Sequence, residues 1–255
     1  MAKVARPAAS EMKILKTALE QALQARGYEQ LTPVQQAVTA PELENSDLLV
    51  SAQTGSGKTV GFGLAMAPTL LGDAETLDRA TLPLALVIAP TRELALQVKR
   101  ELGWLYAEAG AHVVSTVGGM DMRDERRALE RGAHIVVATP GRLRDHINRG
   151  SIDLSQVRAV VLDEADEMLD LGFREDLEFI LGESPEDRRT LMFSATVPAG
   201  IARLAETYLK DHQRIKTLAE ASQHADIEYQ MLAVAQRDTE NAIINVLRYH
   251  EAPNA

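Results

Sequence analysis

Short runs of apolar residues, rich in valine, isoleucine and leucine, recur along this chain and alternate with longer segments of helical periodicity. A strand that is apolar on both faces must be covered on both faces, and crossover helices place such strands parallel to one another. We therefore predict an α/β domain with a central, mainly parallel sheet that helices cover on both faces. The predicted strands are residues 47–51, 84–89, 112–117, 134–138, 159–163, 190–194 and 214–218.

The segment that follows Pro90 has the periodicity of an amphipathic helix. Four of its apolar residues are spaced by four, four and three positions, which places them on one helix face. They are Leu94, Val98, Leu102 and Leu105. We predict that this face packs in the core, and we assign no functional role to the neighbouring Trp104 and Tyr106.

The composition restricts the class of protein. The 255 residues include 27 Lys and Arg against 37 Asp and Glu, a net charge of −10, so any nucleic-acid binding has to be local. The absence of Cys excludes a disulfide framework and Cys-ligated zinc. No apolar run approaches the ~20 residues of a membrane span, and the first residues lack the apolar core of a signal peptide. We expect a cytoplasmic protein with no membrane partner.

The first predicted strand is followed by AQTGSGKT at residues 52–59, where a parallel sheet binds its ligands. The stretch fits the phosphate loop G-x-x-x-x-G-K-[ST], with Ala52 in place of the first glycine. Gly55 and Gly57 allow the backbone to wrap an anion, Lys58 would reach the β and γ phosphates, and Thr59 would place its hydroxyl on Mg²⁺. The alternative is a Gly-rich turn without function, which the flanking strand and helix disfavour.

Acidic residues crowd the end of the strand at 159–163, although the chain is already acidic. In phosphate-loop enzymes a metal ion is shared between the Ser or Thr of the loop and an acid at a strand end. We assign Asp163 to Mg²⁺, and Glu164 to orienting or deprotonating an attacking water. Glu167 and Asp170 lie beyond the strand end, and we interpret them as the solvated start of a helix.

These stretches and five further motifs, in order over about residues 26–218, resemble the DEAD-box family of ATP-dependent RNA helicases. The letters DEAD stand at 163–166, and AQTGSGKT is the family's own form of the phosphate loop, alanine included. The other similar motifs are GYEQLTPVQ (27–35, the Q motif), PTRELALQV (90–98), GG (118–119), TPGR (139–142) and SAT (194–196). The resemblance implies a RecA-like P-loop NTPase domain, the first of the family's two, with ATP and Mg²⁺ as cofactors and RNA as partner.

The resemblance also implies roles for individual residues. The nucleotide would be bound by Tyr28, Gln35, Ala52, Gln53, Thr54, Gly55, Ser56, Gly57, Lys58 and Thr59, with Gln35 on the adenine edge. Catalysis would rest on Lys58, Asp163 and Glu164, and Mg²⁺ on Thr59 and Asp163, partly through water. The RNA backbone would be bound by Pro90, Thr91, Arg92, Gly118, Gly119, Thr139, Pro140, Gly141 and Arg142. Hydrolysis would be coupled to unwinding through Asp166, Ser194, Ala195 and Thr196.

The residue types of the RNA set support its role independently. Thr91, Gly119 and Thr139 each follow a predicted strand, so they should lie along one rim of the sheet. Hydroxyls, backbone N–H groups and the guanidinium groups of Arg92 and Arg142 suit phosphate and sugar contacts, which carry little sequence information, and the 2′-OH would distinguish RNA from DNA. For Arg92, a surface charge or an internal salt bridge is an equal alternative.

Two further sets of residues have simpler interpretations. Ser194 and Thr196 could cap the next turn rather than report on the nucleotide. An arginine series interleaved with Asp124, Glu125 and Glu130 is better explained as a salt-bridged, solvated helix face than as a nucleic-acid patch. That series is Arg123, Arg127 and Arg131.

Two departures from the family pattern concern the ends of the chain. No aromatic residue precedes Tyr28, although the family usually places one near the position of Ser10 to stack on adenine. Residues 1–25 are predicted as an extension with a leading helix, 26–218 as the first RecA-like domain and 219–226 as a linker. Residues 227–255 would be the first strand (227–235) and helix (238–251) of a truncated second domain.

The truncation has consequences for the expected behaviour. The tail would have to pack on its own domain, associate with another copy or stay mobile. Without the arginines of a second domain, an effect worth ~10³ to 10⁵ in rate, we expect nucleotide binding with little turnover. Two alternative functions are a phosphate-loop ATPase that drives another process and an RNA clamp gated by ATP.

Overall fold

The computed structural model describes residues 15–217, 233–235 and 238–249. The chain divides into a unit that ends at Thr217 and a second unit that contains the remainder. The strands of the first unit are β1 (Leu48–Ser51), β2 (Ala85–Ile88), β3 (Val113–Thr116), β4 (Ile135–Ala138), β5 (Ala159–Leu162), β6 (Arg189–Ser194) and β7 (Gln213–Lys216). Its helices are α1 (Thr17–Ala25), α2 (Pro33–Val38), α3 (Lys58–Leu71), α4 (Arg92–Leu105), α5 (Met122–Glu130), α6 (Pro140–Asn148), α7 (Ala165–Asp170), α8 (Arg174–Glu183) and α9 (Ala199–Tyr208), with a 3₁₀ turn at Pro41–Leu43.

The seven strands form one sheet in the order β3-β4-β2-β5-β6-β1-β7, and every neighbouring pair is parallel. The predicted α/β fold with a parallel sheet is therefore confirmed, and each predicted strand is present within a residue or two of its expected bounds. Because the strands are parallel, their carboxyl ends share one edge, where open α/β sheets bind ligands.

Successive residues of the central strands pack into two different cores, as the alternation of a strand requires. Val161 of β5 lies in the core that contains α1, α3 and α4, whereas Val160 lies in the core that contains α6, α8 and α9. Helices thus cover both faces of the sheet. The α1 residues Leu19 and Leu23 are fully buried, so this leading helix belongs to the first unit.

The prediction for the core face of α4 was wrong by one position at its start. The buried residues are Ala95, Val98, Leu102 and Leu105, whereas Leu94 is half-buried. Tyr106 is buried as well, and its hydroxyl donates a hydrogen bond of 2.6 Å to the carbonyl of Gly63 in α3.

The second unit contributes one described helix, α10 (Thr239–Tyr249), close to the helix predicted over 238–251. The strand predicted over 227–235 lies outside the described residues, except for 233–235, which are not in a strand. The predicted linker at 219–226 also lies outside them. None of the helices in the described part of the chain is long and apolar enough to cross a membrane.

Candidate functional site

The carboxyl ends of β1, β5 and β6 bring three predicted motifs to one edge of the sheet. β6 lies between β1 and β5, and Ser51 at the end of β1 is paired with Ser194 at the end of β6. The backbone N–H of Ala52 donates to the carbonyl of Ser194 at 3.2 Å. Asp163 follows β5 directly. The start of the phosphate loop is thus tied to the segment predicted to couple hydrolysis to unwinding.

The phosphate loop is shaped by two glycines and supported by the segment that precedes α2. Gly55 and Gly57 both adopt φ of +82°, which residues with a side chain disfavour. The Gln35 amide donates to the carbonyl of Gly57 at 3.0 Å, and the Thr32 hydroxyl donates to the carbonyl of Ser56 at 3.0 Å. These contacts hold the loop at the start of α3, where a helix N-terminus favours an anion.

Lys58 lies between two carboxylates and forms with them what we call the Lys58 cluster (Lys58, Asp163, Glu164). Its Nζ is 3.1 Å from Asp163 Oδ1 and 3.0 Å from Glu164 Oε1. Burial alone would lower the pKa of Lys58, but the two carboxylates outweigh burial and raise it. Burial raises the pKa of Asp163 to about 6 against the opposing effect of Lys58. Lys58 therefore does not fully offset the burial of the Asp163 carboxylate.

Asp163 is completely buried, and neither of its carboxylate oxygens has a hydrogen-bond partner of normal geometry among the described residues. A buried carboxylate without such partners is costly, and a cation is the ligand that relieves it. Thr59 is also buried and lines the same cleft. A hydroxyl and a carboxylate are oxygen ligands of the kind that Mg²⁺ prefers, so these residues fit the predicted metal.

Glu164 adopts a left-handed conformation with φ of 51°, which is uncommon for a residue with a side chain. Its Oε1 accepts hydrogen bonds from Lys58 Nζ and, at 3.2 Å, from the hydroxyl of Thr54. Burial opposes ionisation, but hydrogen bonds with Glu167, Lys58 and Thr54 hold the pKa of Glu164 below its usual range. An ionised carboxylate in a strained position beside the phosphate loop is suited to orienting a water molecule.

The segment predicted to couple hydrolysis to unwinding is bonded to the acidic segment. Asp166 Oδ2 accepts from the backbone N–H and the hydroxyl of Thr196, at 2.9 and 2.8 Å. The N–H of Asp166 donates to the hydroxyl of Ser194 at 3.2 Å. Burial would raise the pKa of Asp166, but these hydrogen bonds with Thr196 and Ser194 hold it below its usual range. Ala195 between them is exposed.

The predicted RNA-binding residues lie along the ends of β2, β3 and β4, which are neighbours in the sheet. The N–H of Gly118 donates to the hydroxyl of Thr139 at 3.3 Å, and Arg92 Nη1 donates to the carbonyl of Gly119 at 3.3 Å. Thr91 caps α4 by accepting from the N–H of Leu94. The three motifs are thus bonded to one another along one rim. Pro90 and Pro140 are buried beneath it, and Gly141 is half-buried.

Behind this rim lies a second group of charged residues, which we call the Glu125 cluster (Glu125, Arg142, His146). Glu125 Oε2 accepts from Arg142 Nη1 at 3.2 Å and from His146 Nε2 at 2.7 Å. Its Oε1 accepts from the N–H of Val117 at 2.7 Å. Glu125 and His146 are buried, so this carboxylate anchors both Arg142 and the strand end before Gly118.

A sequence profile described as DEAD/DEAH box helicase matches residues 32–204, about two thirds of the chain. The chain belongs to the DEAD/DEAH box helicase family. Two curated family members are the DEAD-box ATP-dependent RNA helicases CshA of Bacillus subtilis and Geobacillus kaustophilus. The first is 40% identical over 233 residues, 91% of this chain and 46% of that protein. The second is 41% identical over 216 residues, 85% of this chain and 45% of that protein.

Solved structures support the same assignment of the fold. A DEAD box protein from the hyperthermophile Methanococcus jannaschii aligns with a TM-score of 0.72 and 35% identity, covering 92% of this chain and 61% of that one. A hypothetical ATP-dependent RNA helicase from Sulfolobus tokodaii aligns with a TM-score of 0.70 and 33% identity, covering 78% and 56%. The chain spans less than half the length of the curated relatives named above.

Two residues of this DEAD/DEAH box helicase domain differ in placement from what the sequence suggests. Gln35 is 1% exposed, and its amide is engaged with the backbone of Thr32 and Gly57, so its pairing with adenine stays a prediction. We expected Glu125 to lie on a solvated helix face, but it is buried and points into the Glu125 cluster. The solvated pairs on α5 are Arg127 with Asp124 and Arg126 with Glu130.

Sequence analysis also missed a row of residues on α4 that face the nucleotide cleft. The cleft has a volume of about 510 Å³, and its walls include the phosphate loop, Glu164 and Tyr28. Its other wall is a row of α4 side chains at steps of three, four and three: Leu94, Gln97, Glu101 and Trp104. A second helical stripe, one position before the buried one, was the signal that could have revealed it.

Proposed function

We propose that this domain binds ATP with Mg²⁺ at the phosphate loop and, within a longer protein, couples ATP hydrolysis to the local unwinding of RNA. The observation that carries the proposal is the Lys58 cluster, where the buried carboxylate of Asp163 has only an ion pair with Lys58, at the start of α3, and no hydrogen bond of normal geometry among the described residues. The relatives named as ATP-dependent RNA helicases support the choice of nucleotide and nucleic acid.

The residues of the cluster have distinct roles in this proposal. Thr59 and Asp163 hold Mg²⁺, which when bound would neutralise charge on the phosphates. Lys58 binds the β and γ phosphates, and its two carboxylate partners keep it protonated. Glu164, ionised and held by Thr54 and Lys58, orients the attacking water and accepts its proton.

RNA is bound along the neighbouring rim through its backbone. Arg92, Arg142 and the N–H groups around Gly118 and Gly119 supply the charge and donors that phosphates require. Such contacts do not read bases, so the domain would bind single strands of many sequences. The chain's net charge of −10 is no obstacle, because Arg92 and Arg142 supply positive charge locally at this rim.

The proposed coupling runs through the end of β6. Ser194 is bonded by its carbonyl to Ala52 of the phosphate loop and by its hydroxyl to the N–H of Asp166. A change at the phosphates that moves either residue would therefore move the Ser194 to Thr196 segment.

The proposal also covers the residues that follow the first RecA-like domain. We infer that residues 219–226 are a linker and 227–255 the start of a second RecA-like domain, in a cytoplasmic protein. Residues 1–255 alone should bind nucleotide with little turnover, because the second domain would supply the arginines that accelerate hydrolysis.

Calorimetric titration with ADP and Mg²⁺ tests the nucleotide site. Wild-type protein should bind, and Lys58→Ala should weaken binding roughly 10- to 100-fold, because it removes a charged hydrogen-bond donor to the phosphates. Lys99→Ala is the matched control, since the Lys99 amine lies 3.4 Å from Ser115 and away from the cleft. Equal affinities for wild type and Lys58→Ala would contradict the proposal.

A further inference from the structure

The nucleotide cleft extends beyond the residues that would bind phosphates. From the phosphate loop it runs along α4, whose Gln97, Glu101 and Trp104 line it together with Arg26 and Tyr28. A volume of about 510 Å³ lies within the range of small-molecule sites, which is roughly 300–1,000 Å³. The cleft therefore has room, next to the wall around Trp104, for the part of a ligand that lies beyond the phosphates.

That part of the wall is built from stacked side chains. The rings of Tyr28 and Trp104 have centroids 6.0 Å apart at an interplanar angle of 32°. The guanidinium carbon of Arg26 lies 5.0 Å from the centroid of Trp104. Trp104 packs against the core on one side, but it is only half-buried and also lines the cleft. Planar aromatic surfaces attract the planar rings of bases, whatever the base.

Two other sources of base contacts are restricted in this chain. Gln35 is buried, with its amide oxygen accepting from the N–H of Thr32 and its amide nitrogen donating to Gly57. No Phe, Tyr or Trp precedes Tyr28 in the sequence. Tyr28 and Trp104 are the aromatic residues that the structure places in the cleft.

We propose that Trp104, supported by Tyr28 and Arg26, contacts the base of the bound nucleotide and supplies a large part of its affinity. The inference rests on the proposed function, because it assumes that the phosphates of the nucleotide occupy the phosphate loop. It assigns to α4 a role in ligand binding in addition to its role in the core.

The chain's single tryptophan makes the proposal directly measurable, because all tryptophan fluorescence comes from Trp104. ADP with Mg²⁺ should change that fluorescence saturably, whereas inorganic tripolyphosphate, which has no base, should occupy the phosphate loop with little change. The comparison of the two ligands separates base contact from phosphate binding.

Calorimetry on variants then measures the contribution to affinity. Trp104→Ala should weaken ADP binding about tenfold, the size of one lost stacking contact, and leave tripolyphosphate affinity within about twofold. Trp104→Phe should restore most of the ADP affinity. Arg100→Ala, an exposed residue of the same helix, is the control and should bind like wild type.

The possible results distinguish a wrong role for Trp104 from a wrong function for the domain. If Trp104→Ala binds ADP like wild type while Lys58→Ala binds it more weakly, the inference is wrong and the nucleotide site stands. If Trp104→Ala weakens ADP and tripolyphosphate equally, Trp104 only supports the fold around the loop, and the inference is again wrong. If wild type binds neither ligand, the proposed function itself fails, and the inference fails with it.

Discussion

Two clusters of buried charge lie at the same edge of the sheet, and they are balanced in opposite ways. In the Lys58 cluster one cation faces two carboxylates, and Asp163 has Lys58 as an ion-pair partner at 3.1 Å but no hydrogen bond of normal geometry among the described residues. In the Glu125 cluster one carboxylate serves Arg142, His146 and the N–H of Val117, so both of its oxygens are used. The first cluster is incomplete without a ligand, whereas the carboxylate of the second is satisfied by the protein.

We interpret the Lys58 cluster as a binding site and the Glu125 cluster as the structural support of a neighbouring binding site. A protein stabilises a buried carboxylate only when partners compensate its lost hydration, so an uncompensated one stores free energy that a cation can release. The Glu125 cluster stores no such energy in its carboxylate. Its role is to hold Arg142 and the strand end before Gly118 in place for the proposed RNA contacts.

The largest expected effect comes from removing the excess charge of the Lys58 cluster. Asp163→Asn should raise the free energy of unfolding of the metal-free protein by about 1–3 kcal/mol, because an amide is cheaper to bury than a carboxylate. The same change should lower the Mg²⁺-dependent affinity for ADP by about 100-fold. Urea denaturation in the presence of a chelator and calorimetry with Mg²⁺ measure the two effects.

The control for this prediction is Asp170→Asn, an exposed acid of the same segment. Its effect on unfolding should stay within about 0.5 kcal/mol. A destabilised Asp163→Asn protein would show that the Asp163 carboxylate is already satisfied by its surroundings, and the contrast between the two clusters would be lost.

The equivalent change in the Glu125 cluster should have the opposite sign. Glu125→Gln should lower the free energy of unfolding by about 2 kcal/mol, because its amide group would face the donors of Arg142 and His146. Since Arg142 loses its anchor, affinity for single-stranded RNA should also fall several-fold, while ADP affinity stays unchanged. Urea denaturation and fluorescence anisotropy with a labelled RNA measure these effects.

Glu130→Gln is the matched variant, because Glu130 pairs with Arg126 on the solvated side of the same helix. Its unfolding free energy and RNA affinity should both match wild type. If Glu125→Gln and Asp163→Asn shift stability in the same direction, charge balance does not distinguish the clusters.

The sequence was sufficient to predict the sheet and the motifs at its carboxyl edge, because both depend on local patterns. Apolar runs mark β1 to β7, and a motif such as the phosphate loop specifies its own backbone through Gly55 and Gly57. Placing consecutive strands side by side puts Ser194 next to the strand that ends before Asp163, and β5 and β6 are indeed neighbours.

The residues that the sequence did not reveal are those whose surroundings come from distant segments. On α5, Glu125 alternates with arginines like any solvated acid, and only the approach of α6 with Arg142 and His146 buries it. On α4, the stripes that face the core and the cleft differ by one position, so periodicity alone could not separate Leu94 from Ala95. Trp104 was assigned no functional role because it stands one position before Leu105, on the stripe next to the buried one.

The smallest predicted effect is a dependence of stability on pH that arises from the Lys58 cluster. Burial raises the pKa of Asp163 from 3.8 to about 6, so the folded protein takes up a proton more readily than the unfolded chain between these values. The cost of the ionised carboxylate is therefore fully present above about pH 6 and declines as the pH falls towards 4. In chelator, the stability advantage of Asp163→Asn over wild type should shrink by about 1 kcal/mol between about pH 7.5 and pH 5. An advantage that stays constant or grows on acidification would show that the buried carboxylate is not the source of the difference.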